Sequence, residues 1–248
     1  MDQYRIIPLL QGVPVTSNRG ALGWSSSTLI QGQGRSILFD TGSYGDRPLL
    51  LSNLASHGLG PDSFDLVVLS HFHFDHIVNA EILPRVPLAL SRPELEYISS
   101  GQFKQAEDPF VPLAHIHALA TRFLPVDDRL EIAPGVQVVY LPGHTPGSMG
   151  LWIQDHRCML TGDAVKNSYE LAHNIPPPCF GTRDQALASM HRVRTLASWV
   201  LPGHDLAFPL SGDDTDRPEK RALPVHLTLF DRPDRPRIIS LAGEDQQP

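Results

Sequence analysis

The chain has 248 residues, 41% of them hydrophobic and 19% charged, which is enough apolar side chain to bury a two-layer core without help from disulfides. A formal net charge of -7 lacks the basic excess that a dedicated nucleic-acid binder uses on phosphates, so nucleic acid is disfavoured as a partner and a small-molecule substrate is favoured. No run of about 18 apolar residues is long enough to span a membrane, Met1 to Arg5 does not open a secretory signal, and Cys158 and Cys179 are the only cysteines; the expectation is a cytoplasmic protein with no membrane partner, for which a homo-dimer is left open.

In chain order, Tyr4 to Leu10, Ser27 to Gln31 and Ser36 to Asp40 read as strands, with a loop from Gly12 to Trp24 joining the first two. Pro48 to His57 reads as a helix stopped by Gly58. Phe64 to Ser70 is apolar and β-branched, the pattern of a buried strand, and Val78 to Leu83 can form a short helix ended by Pro84. Between them stands His71-Phe72-His73-Phe74-Asp75-His76, four metal-competent side chains in six residues on a strand-to-helix turn. Residues 92 to 120 read as a mostly helical excursion, broken by Pro109 and Pro112, with Phe103 and Phe110 expected to form a mobile cover over the site. His115 and His117 are spaced like strand neighbours and are expected to be solvent or cover residues. Strands return near Thr121 to Leu124 and at Val136 to Leu141, Gly150 to Gln154 and Arg157 to Leu160. A helix from Asp184 to Leu196 and a short strand at Ser198 to Leu201 follow. The alternation predicts a sheet-based sandwich with helices outside, in one domain over residues 1 to 210, followed by a proline-rich C-terminal extension over 211 to 248.

Three more metal-competent side chains each follow an apolar strand and a glycine: Gly143-His144, Gly162-Asp163 and Gly203-His204. One sheet edge therefore collects His71, His73, Asp75, His76, His144, Asp163 and His204. Imidazole and carboxylate donors without thiolate suit zinc at a catalytic centre, and manganese or iron is chemically allowed. Cys158 lies within a strand pattern and reads as an inert core thiol, with Cys179 exposed. Trp24, set among small residues, is placed either in the core or against substrate, and Pro176-Pro177-Pro178 reads as a stiff loop able to wall a pocket.

The ordered motifs His-x-His-x-Asp-His, Gly-His, Gly-Asp and Gly-His resemble those of metallo-β-lactamase-fold hydrolases over roughly residues 4 to 208. The resemblance implies an α/β fold, an αββα sandwich of two mixed sheets with helices outside. It also implies two zinc ions per chain: His71, His73 and His144 on the first, Asp75, His76 and His204 on the second, and Asp163 bridging. Asp40, in Phe39-Asp40-Thr41-Gly42, matches an acidic residue that supports a ligand from behind. The implied chemistry is hydrolysis by a hydroxide shared between the ions.

Among the family's branches, secreted β-lactamases, glyoxalase II-like enzymes with an added helical domain and RNA-processing nucleases with a large insertion fit this chain poorly. It is most similar to lactonases in size and motif order, including Gly143-His144-Thr145-Pro146-Gly147. It departs from them at Lys166, which stands where they carry a catalytic tyrosine, while Tyr169 comes three positions later. The expected catalytic residues are Asp75, Asp163 and Lys166. The alternatives are a mononuclear iron sulfur (persulfide) dioxygenase using His71, His144 and Asp163 as a facial triad, or a small metal-dependent nuclease or phosphodiesterase.

Overall fold

The computed structural model describes residues 3–210, 225–229, 235 and 237–241. The N-terminal half supplies β1 (Arg5–Leu10), β2 (Thr16–Ser17), β3 (Gly20–Ala21), β4 (Ser27–Gly32), β5 (Arg35–Phe39), β6 (Leu66–Val68), β7 (Leu88–Ser91) and β8 (Phe123–Val126). All but the small β2–β3 ladder form one six-stranded sheet in the order β1-β4-β5-β6-β7-β8, antiparallel on the β1 side and parallel from β5 to β8. The C-terminal half supplies β9 (Glu131–Ala133), β10 (Val136–Tyr140), β11 (Met149–Ile153), β12 (Cys158–Gly162), β13 (Trp199–Pro202) and β14 (Phe208–Pro209). These make a second sheet, β14-β13-β12-β11-β10-β9, antiparallel except for the central β12–β13 pair.

Period-two alternation explains the layering. Ile6, Ile30, Ile37 and Phe39 face Val136, Val138, Leu151, Leu160 and Leu201 in a core between the sheets. The alternate residues Ile7, Leu29, Leu38 and Val67 face outward onto Leu50 and Leu54 of α1 (Arg47–Ser56) and other helical residues. Val139, Met159 and Val200 do the same on the second sheet, beneath Leu171 of α6 (Ser168–Ala172) and Met190 and Val193 of α7 (Arg183–Leu196). The result is the αββα sandwich expected from sequence.

The other helices are α2 (Phe74–Ile77), α3 (Arg92–Ser99), α4 (Gln102–Gln105) and α5 (Leu113–Leu119). α2 starts inside the histidine cluster, with His73 at its N-cap, and passes into a 3₁₀ turn over Val78–Ile82 where a short helix was expected. β7 has no counterpart in the strand reading; its four residues, flanked by prolines, are too few to show a period. Cys158 is buried between the sheets, as expected, and Cys179 is half-buried, its thiol donating to the Pro177 carbonyl at 3.0 Å. The proposed proline-rich extension lies mostly outside the described residues. The part that is described forms a two-stranded antiparallel ladder, β15 (Val225–Leu229) with β16 (Arg237–Leu241). Among the described residues no helix is long and apolar enough to cross a membrane.

The excursion from 92 to 120 is helical, but it is fastened down. Phe103, expected on a mobile cover, is buried in the core with its ring 6.4 Å from that of Tyr97. His115 and His117 sit on a helix and not a strand; His115 is buried, facing Glu81 at 3.4 Å and the Tyr44 hydroxyl at 3.3 Å. The main fastener is Glu94, fully buried in the first turn of α3. Its carboxylate accepts from the Phe72 amide (2.8 Å), the Thr145 hydroxyl (2.7 Å) and the Gly147 amide (3.1 Å), joining the histidine cluster to the Gly143–Gly147 loop. Gly147 is required there, because a Cβ would lie 2.0 Å from the Glu94 amide nitrogen.

Removing that carboxylate leaves two buried amides without an acceptor, each costing about 1–3 kcal/mol. Glu94→Ala is therefore expected to lower unfolding stability by roughly 2–6 kcal/mol in urea titrations. A loss below about 1 kcal/mol would show that the two loops are held by other contacts.

Candidate metal centre

The site forms where the two sheets present the same edge. The parallel β5–β6 pair ends with Asp40 beside Ser70, and the parallel β12–β13 pair ends with Asp163 beside His204. The Ser70 carbonyl accepts from the Met149 amide at 2.8 Å, which stitches the first edge to the second sheet. Gly203 permits the closest approach, since a Cβ there would stand 2.2 Å from Asp163 Oδ1.

All seven residues expected from sequence converge, each no more than 7% exposed. They fall into overlapping groups able to hold a cation: His71, His73 and His144; His71, His76 and Asp163; and Asp75, His76 and His204. The ligand atoms within each group lie within 4.8 Å of one another. The His71 ring is 4.4 Å from that of His73, 4.3 Å from His76 and 4.8 Å from His144. Asp163 lies between the outer groups, with Oδ2 3.4 Å from His144 Nε2 and Oδ1 3.2 Å from both His76 Nε2 and His204 Nε2. Asp75 Oδ2 is 3.5 Å from His204 Nε2 and 3.8 Å from His76 Nε2.

Each imidazole is held from behind. His144 Nδ1 donates to the Pro178 carbonyl (2.6 Å) and His204 Nδ1 to the Trp24 carbonyl (3.0 Å), so in both rings Nε2 carries the free lone pair. His76 Nδ1 meets Asp40 Oδ2 at 2.8 Å, and His71 Nδ1 meets Ser70 Oγ at 2.9 Å. Ser70 Oγ also donates to Asp40 Oδ2 at 2.8 Å, so Asp40 supports two histidines, one directly and one through the hydroxyl. His73 is turned the other way, with Nε2 2.9 Å from Asp108 Oδ2 and Nδ1 3.0 Å from His144 Nε2.

The electrostatics fit a cation. His71 Nε2, His76 Nε2, His204 Nε2 and Asp163 Oδ1 are buried and have no hydrogen-bond partner, although all point into one small volume. Four such atoms would be costly unless a shared ligand satisfies them. Burial and the neighbouring imidazoles push His71 well below its ordinary pKa. Burial, aided by His73 and Lys166 against Asp163, brings His144 down to about 3. Both are thus neutral, the state in which imidazole ligates. Burial opposes charge on His76 too, but Asp163, Asp75 and Asp40 outweigh it and raise its pKa well above the ordinary value. Three carboxylates around one ring favour positive charge at that point, whether carried by a proton or by a metal. Asp163 is held well below the carboxylate range: burial acts against this, but Lys166, His204 and His76 prevail.

Lys166 is at the site, its Nζ 3.2 Å from Asp163 Oδ2. Tyr169 points away, 63% exposed and stacked on His173 at 4.1 Å. Phe72 is turned into the core against Phe123 and not toward the cluster. Phe110 and Phe180 form an apolar wall instead, their rings 5.5 and 5.6 Å from His73 and 6.0 Å from each other. Sequence reading missed Asp108, Ser70, Phe180 and the carbonyls of Trp24 and Pro178. Asp108 stands in the polar run Glu107-Asp108-Pro109, where nothing marks it out from a solvated turn residue, and a carbonyl acceptor leaves no trace in residue type.

The Metallo-beta-lactamase superfamily model matches residues 22–208. N-acyl homoserine lactonase AiiA of Bacillus thuringiensis subsp. kurstaki is 28% identical over 156 residues, 60% of this chain and 59% of that protein. The chain thus matches less than two thirds of the lactonases' own length. In structure it is similar to an N-acyl homoserine lactone hydrolase with the product N-hexanoyl-L-homoserine bound at its catalytic metal center (TM-score 0.64, 21% identity, 83% of this chain and 94% of that one). It is also similar to AidC, a dizinc quorum-quenching lactonase in complex with a product (TM-score 0.61, 20% identity, 73% and 72%).

If a cation satisfies the four orphaned atoms, it binds the folded state alone. Zinc at a hundredfold excess over its dissociation constant should then add roughly 2.7 kcal/mol of stability and raise the melting temperature by about 5–10 °C over chelated protein. Differential scanning calorimetry with zinc, manganese and ferrous ion measures this. Identical melting with all three and with chelator would mean that the cluster holds no metal.

Proposed function

This chain belongs to the metallo-β-lactamase superfamily, and on that premise we propose that it is a metal-dependent hydrolase that holds two zinc ions and opens a small carboxylic ester or lactone. The observation that carries the reading is Asp163, whose two oxygens face different histidine groups, 3.4 Å from His144 on one side and 3.2 Å from His76 and His204 on the other. In this reading His71, His73 and His144 hold one ion, Asp75, His76 and His204 hold the other, and Asp163 serves both. Imidazole and carboxylate donors without a thiolate favour a catalytic over a structural zinc site, and manganese or iron suits the same donors. When bound, such a pair supplies hydroxide near neutral pH and polarises a carbonyl oxygen.

The remaining residues supply what the ions do not. Asp163 and Asp75 set the charge of the centre. Lys166, paired with Asp163 and 20% exposed, offers its ammonium to a substrate carboxylate or to a developing oxyanion. Phe110 and Phe180 exclude water and give the acyl part an apolar face. The lactone preference is supported by the named activity of the Bacillus relatives and zinc by that of a dizinc structural relative. The catalytic unit is taken as residues 1–210, with 211–248 as a C-terminal extension. Two free cysteines support a cytoplasmic setting.

The test is a screen over lactones, thioesters, phosphodiesters and persulfides on protein whose metal has been quantified after purification without added metal. Two zinc ions and lactone or ester turnover are expected; one iron with persulfide oxygenation, or turnover of phosphodiesters alone, would overturn the reading. Asp163→Ala is expected to lose bound metal and hydrolysis together, whereas His115→Ala, facing Glu81 and Tyr44, should lose neither. An Asp163→Ala protein with two ions and full activity would remove the bridge.

Lys166→Met is expected to raise KM for carboxylate-bearing substrates about tenfold, roughly 1.4 kcal/mol, and to leave neutral substrates nearly unaffected. Equal kinetics on both kinds would take Lys166 out of substrate recognition.

A further inference from the structure

His73 differs from the other four histidines of the cluster in being held through Nε2 and not Nδ1, by a side chain of the excursion over residues 92 to 120. Asp108, its partner at 2.9 Å, lies in the link between α4 and α5 with a fully buried side chain. That carboxylate is itself fixed on each side. Oδ2 also accepts from the Tyr97 hydroxyl of α3 at 2.9 Å, and Oδ1 accepts from the Phe110 amide at 3.0 Å. The Asp108 amide donates to the Phe103 carbonyl at 2.9 Å, and the Phe74 amide to the Phe110 carbonyl at 3.0 Å, which returns the segment to the histidine cluster.

A buried carboxylate accepting from Nε2–H fixes both the rotation of the ring and its tautomer, leaving Nδ1 as the lone-pair donor. That is the nitrogen 3.0 Å from His144 Nε2. Asp40 does the same for His76 and extends through Ser70 to His71, so its influence spans both outer groups. Asp108 touches one histidine only. We propose that Asp108, oriented by Tyr97, is a positioning residue that sets the affinity of the His71/His73/His144 group for its ion independently of the Asp75/His76/His204 group. The excursion thereby becomes part of the scaffold of one half of the centre. This inference rests on the two-ion reading above.

The test uses the full chain loaded with zinc and, separately, with cobalt(II), and compares wild type, Asp108→Asn and Tyr97→Phe. Competition against a chromophoric chelator resolves the affinity of each ion, and the visible spectrum of the cobalt forms reports their ligand environments. Asp108→Asn is expected to loosen one ion about 10–100-fold with a changed cobalt spectrum, and Tyr97→Phe to loosen the same ion by a smaller factor, while the second ion keeps its wild-type affinity. Wild-type affinities and spectra in both variants would overturn the proposal. So would equal loosening of both ions together with a lower melting temperature of the chelated variants, because Asp108 would then act only on general stability. A wild type that takes up a single ion would defeat the two-ion reading instead; the assignment of Asp108 would then stand if Asp108→Asn loosened that ion and fall if it did not.

Discussion

Five imidazoles and two carboxylates buried against one another are unfavourable unless positive charge is placed among them, and much of this molecule is arranged around that constraint. His71 and His144 are held neutral while three carboxylates surround His76. Bulk water does little to relieve the imbalance, because the seven side chains are almost completely buried. A cation among them converts a destabilising cluster into a cohesive one. The outer hydrogen bonds follow from the same need: each ring must present a lone pair inward, so each must donate a proton outward.

The fold meets this need by ending two pairs of parallel strands at one place. β5 and β6 deliver Asp40 and the histidine cluster, while β12 and β13 deliver Asp163 and His204. Parallel neighbours end on the same side, so side chains distant in sequence leave the sheet edge close together, as is general for ligand sites of α/β sheets. Glu94 adds the complementary restraint, clamping the Phe72 and Gly147 backbones.

The seven converging side chains and the layer order were legible in the sequence because both have local signatures. Glycine followed by a metal-competent side chain at the end of an apolar strand is one, and the alternation of apolar strand runs with helical stretches is the other. The parts that were not legible depend on distant partners. Asp108 meets His73 across 35 residues, and His204 is fixed by the backbone of Trp24 across 180. The breakers and aromatics of residues 92 to 120 suggested a mobile cover, yet the burial of Phe103, Tyr97 and Asp108 makes most of that stretch a wall. Composition could not separate the two, since a cover and a wall use the same residues and differ only in what they face.

The span between Trp24 and His204 has a consequence for biosynthesis. Ser26 donates its amide to the Gly203 carbonyl and its hydroxyl to that of Pro202, so an N-terminal loop encloses a ligand from the last strand pair. His71, His73 and His144 have all been synthesised by residue 144 and Asp163 follows them, but the Asp75, His76 and His204 group must wait for about 60 residues beyond residue 144. At about 5–20 residues per second that delay is roughly 3–12 s. During that interval a nascent chain can present the three-histidine group while Asp75 and His76 still lack their third partner. If both groups take up an ion, the order in which they fill is constrained by the direction of translation as well as by affinity.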